Sequence, residues 1–327
     1  MSTLADVQAL SYIRAVNLAL EHALATDPSV IVLGEDVALP NGPFGATKGL
    51  HAAFGDRVID TPISESAMVG TALGAAMGGL RPVLEVIYAD FLLVAMDQIV
   101  NQVANARYVS RSALTAPLVI RTQQGHTPGA CAQHSQSLEA LFAHVPGLRV
   151  GVPSTPRDAY SMLRLAIESE DPVMIFESRR LYPTKGDVAP GEADAGLGVS
   201  ETVRRGSELT VVTWGTGRAL VEESLADAAA PSVDLIDLRW LSPWDSGAVI
   251  ESVGRTGRLL VVHEANETGG FGAEVVSTVS SALGSGLRAS GRVGLRGTPV
   301  PAAPPLAQAV LPTVSRVSEA MSALMEV

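Results

Sequence analysis

The stretch DTPISESAMVGTALGAAMGGLRPVLEVIY, residues 60–88, decides the fold class because it joins a helix signal to a buried-strand signal. Pro62 precedes Ser64, a residue type that favours helix N-caps, so a helix is predicted to begin near Glu65. Residues 81–88 are mostly apolar and have the length of a strand that is covered on both faces. A helix followed by a buried strand is the repeating unit of α/β folds.

The same alternation of strand and helix patterns continues on both sides of this stretch. Further strands are predicted at 29–36, 116–122 and 171–178, and helical spacing is found at 90–109 and 156–169. Strands that alternate with helices in this way favour a parallel sheet.

The periodicity is lost after residue 183, where Pro, Gly, Ala and acidic residues accumulate, and it resumes near residue 206. We predict a linker at 191–205 between two doubly wound α/β domains, 1–190 and 206–327. The second domain has predicted strands at 208–215, 232–240 and 257–265. A Pro-rich tail is predicted to run extended to a last helix near 313–325.

Composition excludes several classes of protein. The net charge of -11 argues against nucleic-acid binding, which requires a basic face. No apolar run reaches the roughly 18 residues needed to cross a bilayer, so no membrane association is expected. The single cysteine, Cys131, cannot form an internal disulfide and fits a reducing cytoplasm. Only 17% of the residues are charged, which suggests that other subunits cover part of the surface.

Glu65 has two interpretations from the residues alone. It can simply complement the dipole at the start of a helix, which is worth less than about 1 kcal/mol. Alternatively, Gly70, Gly74 and Gly78 lie on one face of that helix and let another backbone approach closely. A carboxyl group at the end of such a helix would be partly desolvated, which raises a carboxyl pKa, and it could then exchange protons near neutral pH.

Two loops carry further candidate residues. His126 and His134 flank a Gly- and Pro-containing loop, where they are either structural or weak metal ligands, since no acid or Cys cluster accompanies them. Gly215 and Gly217 form a Gly-x-Gly turn between a strand and a helix, with Asp237 ending the next strand. This is a partial dinucleotide fingerprint that lacks its third glycine, so an NAD-binding oxidoreductase stays open as an alternative.

Taken together, these segments resemble the β subunit of the thiamine-diphosphate-dependent 2-oxo acid dehydrogenases, the decarboxylating components of the pyruvate and branched-chain 2-oxo acid dehydrogenase complexes. The resemblance covers nearly the whole chain. It is carried by LGEDVA (33–38), RVIDTPISE (57–65), DFLLVAMDQIVNQ (90–102), AQHSQSLEALFAHVPGLRV (132–150) and HEANETGGFGAEV (263–275). It implies a pyrimidine-binding thiamine-diphosphate domain followed by a C-terminal transketolase-like domain.

The resemblance also implies roles for individual residues. Glu65 would hydrogen-bond the aminopyrimidine ring of the cofactor, Phe91 would stack on that ring, and Ile63 and Ile87 would wall the same pocket. His134 would face the substrate and the incoming lipoyl group.

Metal ions and partners follow from the same resemblance. An α subunit in an α₂β₂ heterotetramer would hold the diphosphate and its Mg²⁺, and this chain has no Gly-Asp-Gly segment followed by an Asn pair to hold them itself. A potassium ion is expected near Leu118, Ala166, Ile167 and Asp171. The acyl group from a 2-oxo acid would pass to a lipoylated acyltransferase. An acetoin dehydrogenase β subunit and a non-catalytic scaffold subunit remain alternatives.

Overall fold

The computed structural model describes residues 7–39, 41–191 and 195–327, which divide into two compact units. The first unit comprises described residues of Met1–Gln124 and Leu141–Gly196. The second comprises Leu197–Val327 together with Gly125–Ala140, a segment that interrupts the first unit in the chain. The two units are α/β structures built on mostly parallel sheets, as the alternation of strand and helix patterns predicts.

The first unit contains eight strands and six helices among its described residues. In chain order they are β1 (Gln8–Ser11), α1 (Tyr12–Thr26), β2 (Val30–Gly34), α2 (Leu50–Phe54), β3 (Val58–Asp60), α3 (Glu65–Met77), β4 (Arg81–Val86), α4 (Ala106–Val109), β5 (Val119–Gln124), α5 (Glu139–Ala143), β6 (Arg149–Gly151), α6 (Pro156–Glu168), β7 (Val173–Ser178) and β8 (Lys185–Val188). Helix α5 begins in the inserted segment.

Six of these strands form a parallel sheet in the order β6-β7-β5-β4-β2-β3. Its central strands β4, β5 and β7 are buried at every position except Arg81, which explains their mostly apolar sequences. The carboxyl ends of parallel strands lie at one edge of a sheet, where α/β proteins bind ligands. The segments that follow β2, β3 and β4 therefore emerge side by side at that edge.

The predicted helix at 90–109 is not one continuous α-helix. A 3₁₀ turn covers Ala89–Ala95, a π-helical turn covers Gln98–Val103, and α4 closes the segment. The carbonyl of Val94 accepts a hydrogen bond from the Ser66 hydroxyl at 2.7 Å, and the Ala104 amide donates to the Ile99 carbonyl at 3.0 Å. These bonds replace the regular pattern that apolar spacing alone would predict.

The second unit contains six strands and five helices among its described residues. They are β9 (Glu201–Arg204), β10 (Leu209–Thr213), α7 (Thr216–Ser224), β11 (Val233–Asp237), β12 (Trp240–Ser242), α8 (Ser246–Thr256), β13 (Arg258–Asn266), α9 (Phe271–Leu283), β14 (Ala289–Leu295), α10 (Pro304–Val310) and α11 (Val314–Met325). Its sheet has the order β14-β13-β10-β11-β9, parallel except for β9.

Two segments predicted to be irregular carry regular structure. Strand β9 lies within 191–205, the predicted linker, and α10 lies within the Pro-rich tail. Pro304 occupies the first turn of α10, where a proline loses no helical hydrogen bond, so Pro starts this helix instead of preventing it. The predicted last helix corresponds to α11. None of the helices in the described ranges has the length and apolar character that a bilayer crossing demands.

Candidate active site

Glu65 is the first residue of α3 and is only 7% exposed. Ser64 occupies the N-cap position, but its side chain makes no capping hydrogen bond within the described chain. Glu65 is the acidic side chain in the first turn of α3, where the helix dipole favours a negative charge. Because α3 follows β3, this carboxyl group lies at the carboxyl edge of the first sheet.

Glu35 is a second carboxyl group at the same edge, and it was not among the predicted site residues. It directly follows β2, which lies between β3 and β4 in the sheet. Burial raises the pKa of Glu35, and the negative charges of Glu65 and Asp36 raise it further. Its buried Oε1 has no hydrogen-bond partner among the described residues. Its position after a buried strand was the sequence signal that could have identified it.

The loop that carries Glu35 is fixed by close backbone contacts. A Cβ atom on Gly34 would lie 2.7 Å from the carbonyl oxygen of Glu85, so only glycine fits at the end of β2. The Asp60 carboxylate accepts hydrogen bonds from the amides of Ala38 and Leu39 at 2.7 and 3.1 Å. These contacts hold the acidic turn against the end of β3.

Phe91 lies in the 3₁₀ turn that follows β4, the strand on the other side of β2. The ring of Tyr88 lies between Phe91, at 6.3 Å between centroids, and Phe44, at 5.8 Å. The Arg179 guanidinium also stacks over Tyr88, with its carbon 4.6 Å from the ring centroid. The bond from Ser66 to Val94 joins the same turn to the first turn of α3. A hydrogen bond therefore joins the 3₁₀ turn that carries Phe91 to the helix that carries Glu65.

The two predicted wall residues differ in burial. Ile87 follows β4 and is 8% exposed, whereas Ile63 precedes α3 and is 80% exposed. The structure therefore brings Ile63, Glu65, Ile87 and Phe91 to one sheet edge, together with Glu35. A shielded carboxyl group, an aromatic side chain and two aliphatic side chains at one sheet edge are the residue types that suit an aminopyrimidine ring.

His134 lies in the inserted segment 125–140, which belongs to the second unit. Its side chain is partly buried, and Cys131 in the same loop donates from its thiol to the Gln133 side chain at 2.7 Å. No helix or strand covers residues 125–138.

The residues expected near a potassium ion are engaged by other groups. The Asp171 carboxylate pairs with the guanidinium groups of Arg107 and, at 2.6 Å, Arg149, and bonds from these arginines hold its pKa low against the opposing effect of burial. Arg81 donates to the Ile167 carbonyl at 3.1 Å. The carbonyls of Leu118 and Ala166 accept backbone amides. Guanidinium groups thus already neutralise the Asp171 carboxylate. A carbonyl oxygen has two lone pairs and can accept a hydrogen bond and still coordinate a cation, so potassium near these residues stays a prediction.

The Gly-x-Gly turn of the second unit is explained by packing. A Cβ atom on Gly217 would lie 2.7 Å from the Val262 carbonyl oxygen and would also clash with the Thr213 hydroxyl, so glycine lets α7 lie against the sheet. Asp237 is fully buried and pairs with Arg218 at 3.3 Å. A carboxylate held in this way does not suit a nucleotide ribose, which speaks against the NAD alternative.

Two family models match the chain. The transketolase pyrimidine-binding domain matches residues 8–185, and the transketolase C-terminal domain matches residues 198–317. The structure is also similar to a solved split-gene transketolase described as an inactive β4 tetramer. The TM-score is 0.81 at 21% identity, and the match covers 98% of this chain and 99% of that one. At this identity the likeness concerns the fold alone.

Curated relatives are more similar in sequence. The pyruvate dehydrogenase E1 component subunit beta of Leifsonia xyli subsp. xyli is 42% identical, over 96% of this chain and 94% of its own. The 2-oxoisovalerate dehydrogenase subunit beta of Bacillus subtilis is 40% identical, over 83% and 84%. The acetoin:2,6-dichlorophenolindophenol oxidoreductase subunit beta of Cupriavidus necator is also 40% identical, over 95% and 96%.

Proposed function

This chain belongs to the β subunits of the thiamine-diphosphate-dependent 2-oxo acid dehydrogenases, and from that premise we propose that it works with an α subunit to decarboxylate a 2-oxo acid and transfer the acyl group to lipoamide. The family was predicted from the sequence and is confirmed, as is the two-domain transketolase-like fold. The substrate, the α₂β₂ stoichiometry and the lipoylated acyltransferase are part of the proposal. So is a cytoplasmic location, which a chain with one cysteine fits.

The observation that carries the proposal is the position of Glu65. It is a shielded carboxyl group at a helix start, beside Glu35 and next to the segment that bears Phe91. When bound, thiamine diphosphate supplies a carbon nucleophile that adds to the 2-oxo carbon and accepts the electron pair released with CO₂. The α subunit would hold its diphosphate and Mg²⁺.

The residues of this chain bind the cofactor ring and move its proton. Glu65 holds a proton at its carboxyl group against a ring nitrogen, and its burial keeps water from competing for that bond. Phe91 presents a flat face to the ring, while Ile63 and Ile87 cover its edges. His134 orients the substrate or donates a proton to it during acyl transfer.

An assay of the co-purified α/β assembly tests the proposal and selects the substrate. Pyruvate, 2-oxoisovalerate and acetoin are supplied in turn, with reduction of dichlorophenolindophenol as the readout. We expect turnover with one of the 2-oxo acids. Turnover with acetoin alone would instead indicate an acetoin dehydrogenase, and no turnover with any of them would indicate a scaffold subunit.

A further inference from the structure

The segment that carries His134 is fixed to the second unit at its start by a buried carboxylate. Glu264 lies on β13 and is 8% exposed. Its Oε1 accepts the backbone amide of His126 and its Oε2 accepts the hydroxyl of Thr216, both at 2.7 Å. Each oxygen therefore joins a different element, and bonds to an ionised carboxylate are shorter and stronger than neutral ones.

Gly125 fits closely over the same carboxylate. Its φ of +81° lies in the left-handed region, and a Cβ atom there would lie 2.7 Å from Oε1 of Glu264. A side chain at position 125 would therefore displace the carboxylate. Glu264 therefore holds two consecutive residues: it accepts the amide of His126, and its carboxylate leaves room only for glycine at position 125.

A second anchor lies at the end of the segment. The indole Nε1 of Trp214 donates to Oε1 of Glu139 at 3.1 Å. The indole is itself held, because its ring stacks on His263 at 5.1 Å between centroids and meets the edge of Phe271 at 6.0 Å.

Between the two anchors the segment has little regular structure of its own. Residues 125–138 form no helix or strand, and the backbone bond from Ala130 to Thr127, at 3.0 Å, closes one local turn. The Gly125 amide also donates to the Gln136 carbonyl at 3.4 Å, so the start of the segment, which Glu264 holds, is joined directly to the part just after His134.

We propose that Glu264 is a positioning residue that holds His134 in place for acyl transfer. The role of His134 belongs to the proposed function, so this inference rests on it. Glu264 acts through the loop, by receiving the amide of His126, and not by contact with the substrate. In this step His134 would face the acyl acceptor, which is a lipoyl group.

The decisive comparison is Glu264→Ala with Glu264→Gln in the assembled α/β protein. Glutamine keeps an acceptor oxygen for the His126 amide and offers an amide to Thr216, whereas alanine removes both bonds. We expect alanine to lower kcat/KM for the lipoyl acceptor by about tenfold or more, because small displacements of a catalytic group are costly. Binding of thiamine diphosphate should be unchanged in Glu264→Ala. Glu264→Gln should keep most of the kcat/KM for the lipoyl acceptor that Glu264→Ala loses. Equal losses in the two variants would overturn the proposal.

A double variant tests whether Glu264 acts through His134. Glu264→Ala should add no further loss in a His134→Ala background, since coupled residues are not additive. Multiplicative losses would contradict the proposal. Glu274→Ala removes an exposed carboxylate from α9 of the same unit and serves as the control, with unchanged transfer expected.

Hydrogen exchange of the backbone amides tests whether Glu264 anchors the segment, and it does so whether or not the assembly is active. In Glu264→Ala the amides of residues 126–138 should exchange faster, whereas in Glu264→Gln they should not. Unchanged exchange in Glu264→Ala would refute the anchor even in an active enzyme. An inactive wild-type assembly would refute the proposed function and leave the anchor to be decided by exchange. Should Glu264→Ala fail to fold, Thr216→Val removes one of the two bonds, and a smaller rise in exchange is expected.

Discussion

Burial raises the pKa of Glu35, and the electrostatic field of the neighbouring Glu65 carboxylate raises it further. Asp36 contributes to the same field from an exposed position. The carboxyl edge of the first sheet thus carries Glu35 close to Glu65, and this proximity raises the pKa of Glu35.

Glu65→Gln keeps the size and polarity of the side chain but cannot deliver a proton. We expect decarboxylation by the α/β assembly to fall by at least about 10²-fold, the low end for acid–base catalysis, while sedimentation shows an intact assembly. The pKa of Glu35 should fall, because a neighbouring negative charge is gone. Asp36→Asn also removes a charge beside Glu35 and should leave activity close to unchanged. Near-normal turnover in Glu65→Gln would refute the assigned role.

His263 gives the second unit a pH-dependent stability. Burial, together with the nearby charge of Arg292, lowers the pKa of its ring to about 4, although the hydrogen bond between Nδ1 and the Ala265 carbonyl, at 3.1 Å, acts in the opposite direction. The unfolded chain therefore takes up a proton below about pH 6.5 while the folded chain stays neutral. Stability is unaffected above that pH and falls as the pH decreases from about 6.5 to about 4.

We expect the free energy of unfolding to fall by about 2 kcal/mol between pH 7 and pH 5 because of this group. All three tryptophans, Trp214, Trp240 and Trp244, belong to the second unit, so urea unfolding followed by tryptophan fluorescence reports on it. In His263→Phe, which keeps a ring against Trp214, the pH-dependent loss should shrink by that amount. An equal loss in both proteins would contradict the assignment.

Strand β5 places a charged group in the middle of the first sheet. Arg121 is fully buried, its guanidinium forms two bonds with Glu177 from β7, at 2.8 and 2.7 Å, and it also pairs with Glu85 from β4. Tyr182 donates to the same Glu177 carboxylate at 2.7 Å. The positive charge of Arg121 therefore compensates the negative charges of two carboxylates on the neighbouring strands β4 and β7.

Arg121→Met fills similar space but leaves both carboxylates without their cation. We expect it to lower the free energy of unfolding of the first unit by about 3–5 kcal/mol, measured by circular dichroism in urea. Glu85→Gln should cost much less, because burial already raises the pKa of Glu85 and a neutral group suits its site. A loss below about 1 kcal/mol in Arg121→Met would contradict this account.

The elements that sequence predicts best are those whose signals are local. Strand β4 and helix α6 lie where apolar spacing indicated them, and α6 begins with a Thr155–Asp158 capping box. The 89–109 segment departs from its predicted helix because Ser66, on another element, takes the carbonyl of Val94. The bond from Glu264 to His126 joins residues 138 positions apart, so no local pattern could reveal it.

At the scale of the whole chain, one face of α3 is left uncovered. Met68, Val69 and Ala72 pack inward, whereas Gly70 and Gly74 are exposed. A Cβ atom on either glycine would meet no atom within 4 Å in the described part of the chain. These two glycines therefore do not pack on this chain's own sheet, and the fold of the single chain does not require them.

Substituting these glycines separates the stability of the chain from its assembly. Gly70→Ala and Gly74→Ala should each stabilise the isolated chain by roughly 0.5–1 kcal/mol, because alanine favours an exposed helix interior. If α3 packs against another subunit through this face, Gly70→Leu should lower the fraction of α/β assembly in sedimentation while the isolated chain stays folded. Gly254→Ala, at an exposed glycine of α8, should give the same stabilisation and leave assembly unchanged, since only the α3 face would meet a partner backbone. Undiminished assembly of Gly70→Leu would show that the glycine face of α3 stays outside the subunit interface.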